Sequence, residues 1–296
     1  MHELITNLTV CRKDAVICML ARDCADQLEK NIDGVERLQH YFNVCSIIVV
    51  ENDSIDGTKE MLENWRVRNG NLKIINSDGL FKNSERSGSS FDRINRMSYF
   101  RNLYLNEIKE IKSNPDFLIV IDIDIFEFDP ETIISAVNNA PDDWGALFAN
   151  GIVKNSFLFF KMDLYYDIFA LDTTGTDINR TFYDGCVKNI HIEKEIRKRQ
   201  FYRVFSAFGG IGIYKYNLIK DMEYSAIPNN KSTLLQCNAE HVSINYSLCN
   251  NGYKLYIVRD MPVIYFYGKS IRSFIKYLCP KLILQLFYKI FLHIKE

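Results

Sequence analysis

An unbroken apolar run, Phe117-Leu118-Ile119-Val120-Ile121, leads straight into Asp122-Ile123-Asp124. A run of that length, rich in β-branched residues, is the signature of a strand buried on both faces. The strand should end where the carboxylates begin. Two acids at i and i+2 then point the same way from the edge of a sheet. Left bare, they repel and resist ionisation. A divalent cation removes both problems, and oxygen-only ligands favour Mg2+ or Mn2+ over zinc. Taken alone, the pattern also fits a strand that ends in a solvated acidic turn, so the rest of the chain has to decide.

Upstream, apolar strands alternate with helical periodicity. Residues 14–21 read as a first buried strand, followed by the polar loop Arg22–Asp26. Leu28, Ile32, Val35, Leu38 and Phe42 have helical spacing, and 44–50 reads as a second strand ending at Glu51. A helix over 59–68, a short strand at 71–76, a Ser/Gly-rich loop over 77–92 and a helix over 93–111 complete the approach to the acidic strand. In that last helix Ile94, Met97, Phe100, Leu103 and Leu105 are the expected buried positions. This alternation predicts an α/β fold, a Rossmann-like, mainly parallel sheet with flanking helices. Ligands in such sheets bind beyond the carboxyl ends of the strands. Three charged loops fall there: 22–26, 51–56 and 122–124. Downstream, the pattern predicts a helix at 131–139, a strand near 144–151, a glycine-bearing turn at Gly209-Gly210 entering a strand, a helix over 237–249 and a strand over 253–258.

Composition narrows the function classes. The net charge of −1 over 296 residues argues against a general nucleic-acid surface. The eight cysteines form no Cys-x-x-Cys pair, and no apolar segment follows Met1. The expectation is reduced thiols and a cytoplasmic protein without a leader or N-terminal anchor. Residues 1–268 read as one domain.

In their order along the chain, strand 14–20, the loop Glu51-Asn52-Asp53-Ser54-Ile55-Asp56-Gly57-Thr58, Arg101-Asn102 in a helix, and Asp122-Ile123-Asp124 resemble a GT-A-fold glycosyltransferase of the family 2 type. Glu240-His241, followed by Asn251-Gly252-Tyr253, resembles the late "ED…GY" segment of that fold. The Glu-Asn-Asp-Ser loop and Tyr166-Asp167-Ile168-Phe169-Ala170-Leu171-Asp172 are similar to fungal capsule-associated mannosyltransferases. The resemblance covers roughly residues 14–265.

It implies a UDP- or GDP-sugar donor, a glycan or lipid-linked acceptor, and Mn2+ or Mg2+. Asp124 would ligate the metal, with Asp122 holding it through water or holding the donor ribose. A cation bridging the diphosphate would stabilise the leaving group as a Lewis acid. Glu51 would accept from a base N–H. Ala21, Arg22 and Asp53 would line the same pocket, and Arg96 and Arg101 would reach the loop, base or diphosphate. Tyr166, Asp167, Asp172, Gly209 and Gly210 are candidates for the acceptor side. Where many inverting members carry Glu-Asp, this chain has Glu240-His241. Glu240 is the candidate general base, and His241 is a metal ligand, a base or a core histidine. A sugar-phosphate nucleotidyltransferase is the rival, but Ala21-Arg22-Asp23-Cys24 lacks the glycine-rich loop it would need. A non-catalytic nucleotide- or glycan-binding protein is the other.

Residues 269–296 differ in character. Ile271, Phe274, Ile275 and Leu278, then Ile283, Leu286, Phe287, Ile290, Phe291 and Ile294, make an apolar stripe flanked by lysines and Arg272. The stretch is too short and too charged to span a bilayer. It fits a helix lying on an anionic membrane surface, or one packed against protein.

Overall fold

The computed structural model describes residues 13–81, 90–110, 114–157, 160–175, 192–229 and 237–268. Strands β1 (Ala15–Ala21), β2 (Cys45–Glu51), β3 (Leu72–Asn76) and β4 (Phe117–Asp122) lie parallel in the order β3-β2-β1-β4. The first helices, α1 (Ala25–Gln39), α2 (Thr58–Arg68) and α3 (Phe91–Glu110), connect them as crossovers. The chain continues with β5 (Glu127–Phe128), α4 (Pro130–Asn138), β6 (Trp144–Phe157) and β7 (Phe160–Tyr165). A short helix α5 at 192–198 precedes β8 (Phe201–Val204), β9 (Ile211–Lys215), α6 (Tyr216–Ile219), α7 (His241–Asn250) and β10 (Lys254–Gly268).

All ten described strands join one mixed sheet, with β9-β6-β10-β5 extending the parallel half and β7 and β8 pairing off its path. The expected α/β class is the one found. Alternate residues of β1 and β4 point into two separate cores, one beneath α1, α2 and α4 and the other beneath α3 and α7. Burial on both faces is why these strands carry no polar alternation.

Register brings the three charged loops together. Ala21 pairs with Glu51, and Leu20 pairs with Asp122. The ends of β1, β2 and β4 therefore lie side by side at one sheet edge.

Several elements differ from expectation. Helix α3 buries Arg96, Ser98, Arg101 and Glu107 beside its apolar residues, whereas Met97 and Leu103 are only partly buried. Helix α7 starts at His241, because Cys237 is held in a bridge to Pro228. Strand β6 runs on to Phe157, and β10 runs on through Arg259-Asp260-Met261-Pro262 to Gly268. The polar pair and proline disguise that continuation, and the sheet absorbs them in a register shift between Val258 and Pro262. The tail 269–296 lies outside the described residues. No described helix is long and apolar enough to cross a membrane.

Gly209 and Gly210, both at positive φ (67° and 93°), form the turn into β9. Their lack of side chains is required by the protein itself. A Cβ on Gly209 would stand 2.4 Å from the Ala149 carbonyl oxygen, and one on Gly151 would stand 2.6 Å from the Gly209 oxygen. Gly151→Ala should therefore destabilise the chain by about 1–3 kcal/mol through overpacking against rigid backbone. Urea unfolding would measure this, and a neutral result would show that the two backbones can move apart.

Candidate active site

The acidic turn after β4 is held from three sides. Asn31 of α1 donates through Nδ2 to the carbonyls of Ile123 (2.9 Å) and Ile125 (2.7 Å). The Asp122 N–H donates to the Gly210 carbonyl at 2.9 Å, and the Phe126 N–H to Ile264 of β10 at 2.9 Å. Ile123 is buried in the core, which leaves its acidic neighbours to share the opposite side. Asn31 was not singled out from the sequence, although an amide on the apolar face beside Leu28 and Ile32 was there to be noticed.

The Asp122 side chain keeps 23% of its surface exposed. Burial pushes its carboxyl up to about 8. Arg101 opposes that rise, and the charges of Asp124, Asp167 and Glu240 add to it. Asp124 is also raised, chiefly by burial, against a hydrogen bond from Tyr265 (Oη to Oδ2, 3.3 Å). Two carboxylates that resist ionisation together and remain open to solvent suit a hard divalent cation whose remaining ligands come from phosphate and water. Among the described residues, no group of three or more His, Cys, Asp and Glu side chains is placed to hold a metal by itself. Among the described residues, Asp122 and Asp124 are the carboxylates on which a cation here would rest.

Arg101 reaches in from α3. Its Nε donates to Glu240 Oε1 at 2.8 Å and its Nη2 to Asp122 Oδ1 at 3.3 Å. The guanidinium lies over the rings of Phe208 (5.3 Å) and Tyr224 (5.9 Å). Glu240 immediately precedes α7, its side chain makes no capping hydrogen bond to the helix, and it is 5% exposed. His241 stacks on Phe208 with ring centroids 3.8 Å apart. Its Nδ1 is 3.5 Å from the Tyr214 hydroxyl, and its Nε2 makes no hydrogen bond but stands 3.7 Å from Glu240 Oε1. Burial, with the Arg101 charge, holds this imidazole well below the usual histidine range and so neutral. The structure gathers Glu240, His241, Arg101 and Asp122 in one cluster; it does not put His241 in a three-member metal group with the aspartates.

At the adjoining edge, the loops after β1 and β2 are stitched together. The Asp23 N–H donates to Ser54 Oγ, Ile55 N–H to Asp23 Oδ1, and Cys24 N–H to Thr58 Oγ1. Ala21 is buried where β1 ends. Arg22 follows with its Nε buried and without a hydrogen bond. Glu51 is 2% exposed, with Oε1 accepting from the Ser54 N–H at 2.9 Å and Oε2 3.8 Å from Lys59. Asp53 sits at φ 51° and accepts from the Gly79 N–H. Arg96 is buried close enough to Arg22 and Arg93 for their charges to lower its pKa, after burial. A cleft beside α2 and β3 is lined by Glu51, Lys59, Lys73 and Asn76 and does not reach the aspartates.

Tyr166 and Asp167 follow β7 and lie beside the acidic pair. Tyr166 stacks on Tyr265 at 3.5 Å, and Asp167 sits at φ 61°. Asp172 is used within the fold. Its Oδ1 accepts from the backbone of Thr174 and Gly175, and its Oδ2 from the Tyr246 hydroxyl at 2.6 Å. Tyr265, Phe208 and Tyr224 were not singled out from the sequence, since no neighbouring residue marks any of them as a partner of Asp124 or Arg101.

The sequence model of the Cryptococcal mannosyltransferase 1 family matches residues 15–245. The chain belongs to that family. Among curated proteins none matches it in sequence. Solved structures similar to it include the mannosyltransferase PcManGT from Pyrobaculum calidifontis in complex with GDP-Man and Mn2+. That likeness is at 13% identity and TM-score 0.48, over 86% of this chain and 57% of that one. S. aureus TarS 1–349 in complex with UDP-GlcNAc is similar at 13% identity and TM-score 0.48, over 88% and 60%. GalNAc-T7 with UDP, GalNAc and Mn2+ is similar at 14% identity and TM-score 0.46, over 87% and 44%. The chain thus spans about half the length of these chains.

The raised Asp122 has a consequence for stability. A carboxyl whose pKa rises on folding binds its proton more tightly in the folded state. Its contribution is intact below the ordinary value of 3.8 and is lost as pH rises toward about 8. Measured without metal, the stability of the wild type relative to Asp122→Asn should therefore fall by roughly 1–3 kcal/mol across that window. Urea unfolding at a series of pH values checks this, and a pH-independent difference contradicts it.

Proposed function

We propose that this chain is a metal-dependent glycosyltransferase that moves a sugar from a nucleotide-sugar donor to a glycan or lipid-linked acceptor in the making of a surface polysaccharide or glycoconjugate. The observation that carries the reading is the pair of raised, partly open carboxylates Asp122 and Asp124 at the end of a buried strand, within a chain of a mannosyltransferase family. The family's name makes mannose the first sugar to try, from a GDP or UDP donor.

In this reading Asp122 and Asp124 hold Mn2+ or Mg2+, which when bound neutralises charge on the leaving diphosphate. Glu51, Asp53, Ala21 and Arg22 line the nucleotide side, with Arg93 and Arg96 near the start of α3 beside them. Tyr166 and Asp167 lie toward the acceptor. Glu240 takes the proton of the attacking hydroxyl if the reaction inverts. Arg101 orients that carboxylate. His241 is neutral and next to Glu240, so it can share the proton or serve as packing. Gly209 and Gly210 act through backbone, by holding Asp122 in place. The apolar stripe of 269–296, with its flanking lysines and Arg272, would set the enzyme on the cytosolic face of an anionic membrane.

Turnover should require added Mn2+ or Mg2+, and Asp124→Asn should lower it by at least about 100-fold with the fold intact. A panel of nucleotide sugars, scored by release of nucleoside diphosphate with and without Mn2+, tests this, and full activity in excess EDTA would overturn it. Glu240→Gln should cost about 10²–10⁴ in transfer rate while sparing donor affinity. Parallel loss of both, by calorimetry and initial rates, would move Glu240 to the donor site.

A further inference from the structure

Tyr265 owes its position to an irregularity in the sheet. Strand β10 pairs with β6 at Ile264↔Ile152 and then at Phe266↔Val153, so Tyr265 is the extra residue of a bulge. Bulges re-aim a side chain out of the regular ladder. Here the ring is turned to stack flat on Tyr166, with centroids 3.5 Å apart and planes 14° apart. The hydroxyl donates to Asp124 Oδ2 at 3.3 Å. The neighbouring backbone holds the same turn, since the Ile264 carbonyl accepts from the Phe126 N–H at 2.9 Å and Ile264 pairs with Glu127. Strand β10 therefore grips the acidic turn twice, once by backbone and once by the hydroxyl.

A contact of 3.3 Å is longer than a strong O–H···O bond. It aims the carboxylate without saturating it, because an ionised carboxylate keeps further lone pairs for a cation. Resting on the metal-dependent reading above, we propose that Tyr265 is a positioning residue whose hydroxyl holds Asp124 in the orientation that receives the divalent cation, and whose stack on Tyr166 keeps the hydroxyl in place. Partners of this kind, one bond removed from a metal, set metal affinity by fixing the ligand.

The test uses the full chain and Mn2+ alone, with free Mn2+ followed by electron paramagnetic resonance. Tyr265→Phe keeps the ring and the stack but removes the hydroxyl. It should weaken Mn2+ binding by about 10-fold or more. It should also raise the Mn2+ concentration needed for half-maximal turnover, with the rate recovered at saturating Mn2+. Tyr256→Phe is the control. It removes a tyrosine–aspartate bond on the same strand, to Asp143 at 3.0 Å, away from the site, and should leave Mn2+ affinity unchanged. Tyr166→Leu removes the stack and keeps the hydroxyl, and should give an intermediate loss. If Tyr265→Phe fails to fold, this variant carries the test alone. The proposal is overturned if Tyr265→Phe binds Mn2+ as tightly as the wild type while Asp124→Asn does not bind it, or if Tyr256→Phe loses affinity equally. A wild type that binds no Mn2+ overturns instead the metal-dependent reading itself.

Discussion

Arg101 stands between two carboxylates, with Nε 2.8 Å from Glu240 and Nη2 3.3 Å from Asp122, on a side chain only 3% exposed. Removing a guanidinium from water is costly unless carboxylates and aromatic faces replace the solvent. Glu240, Asp122, Phe208 and Tyr224 do so here. The converse also holds. Asp122, Asp124, Asp167 and Glu240 crowd one end of β4, and Arg101 is the cation in direct contact with two of them. Truncating it would leave a buried acid unpaired, so the start of α7 and the end of β4 depend on a residue of α3.

The sheet explains how those pieces meet. The parallel half, β3-β2-β1-β4, delivers three loops to one edge because crossover helices return every strand in the same sense. Antiparallel β9 then enters beside β4, and its preceding turn at Gly209-Gly210 reaches the Asp122 amide. That turn crosses β6 so closely that neither Gly151 nor Gly209 has room for a Cβ. The acidic turn is thus fixed by α1 through Asn31, by the turn before β9, and by β10, while its carboxylates stay partly open. Rigid backbone beneath polar groups is what a preorganised charged site requires.

Much of this was legible from residue pattern. The buried strands, the crossover helices and the position of the acidic pair follow from periodicity and from the change from apolar to charged residues. The buried Arg96 and Arg101 broke the apolar stripe assigned to α3, because an arginine on a helix reads as solvated until a partner is known. Asp172 was readable as an acid in an aromatic segment. Its use as a hub for Thr174, Gly175 and Tyr246 was not.

The sequence by itself determined the α/β class, the edge where the charged loops converge, and the two neighbouring aspartates, since these depend on local period and on neighbours a few residues apart. Tertiary structure decided which distant side chains complete the site. Arg101 meets Glu240 across 139 positions, and Tyr265 meets Asp124 across 141. No local pattern encodes such a pairing. It arises from strand order, from a bulge that turns one tyrosine, and from the need of a buried charge for a partner wherever the fold can supply one.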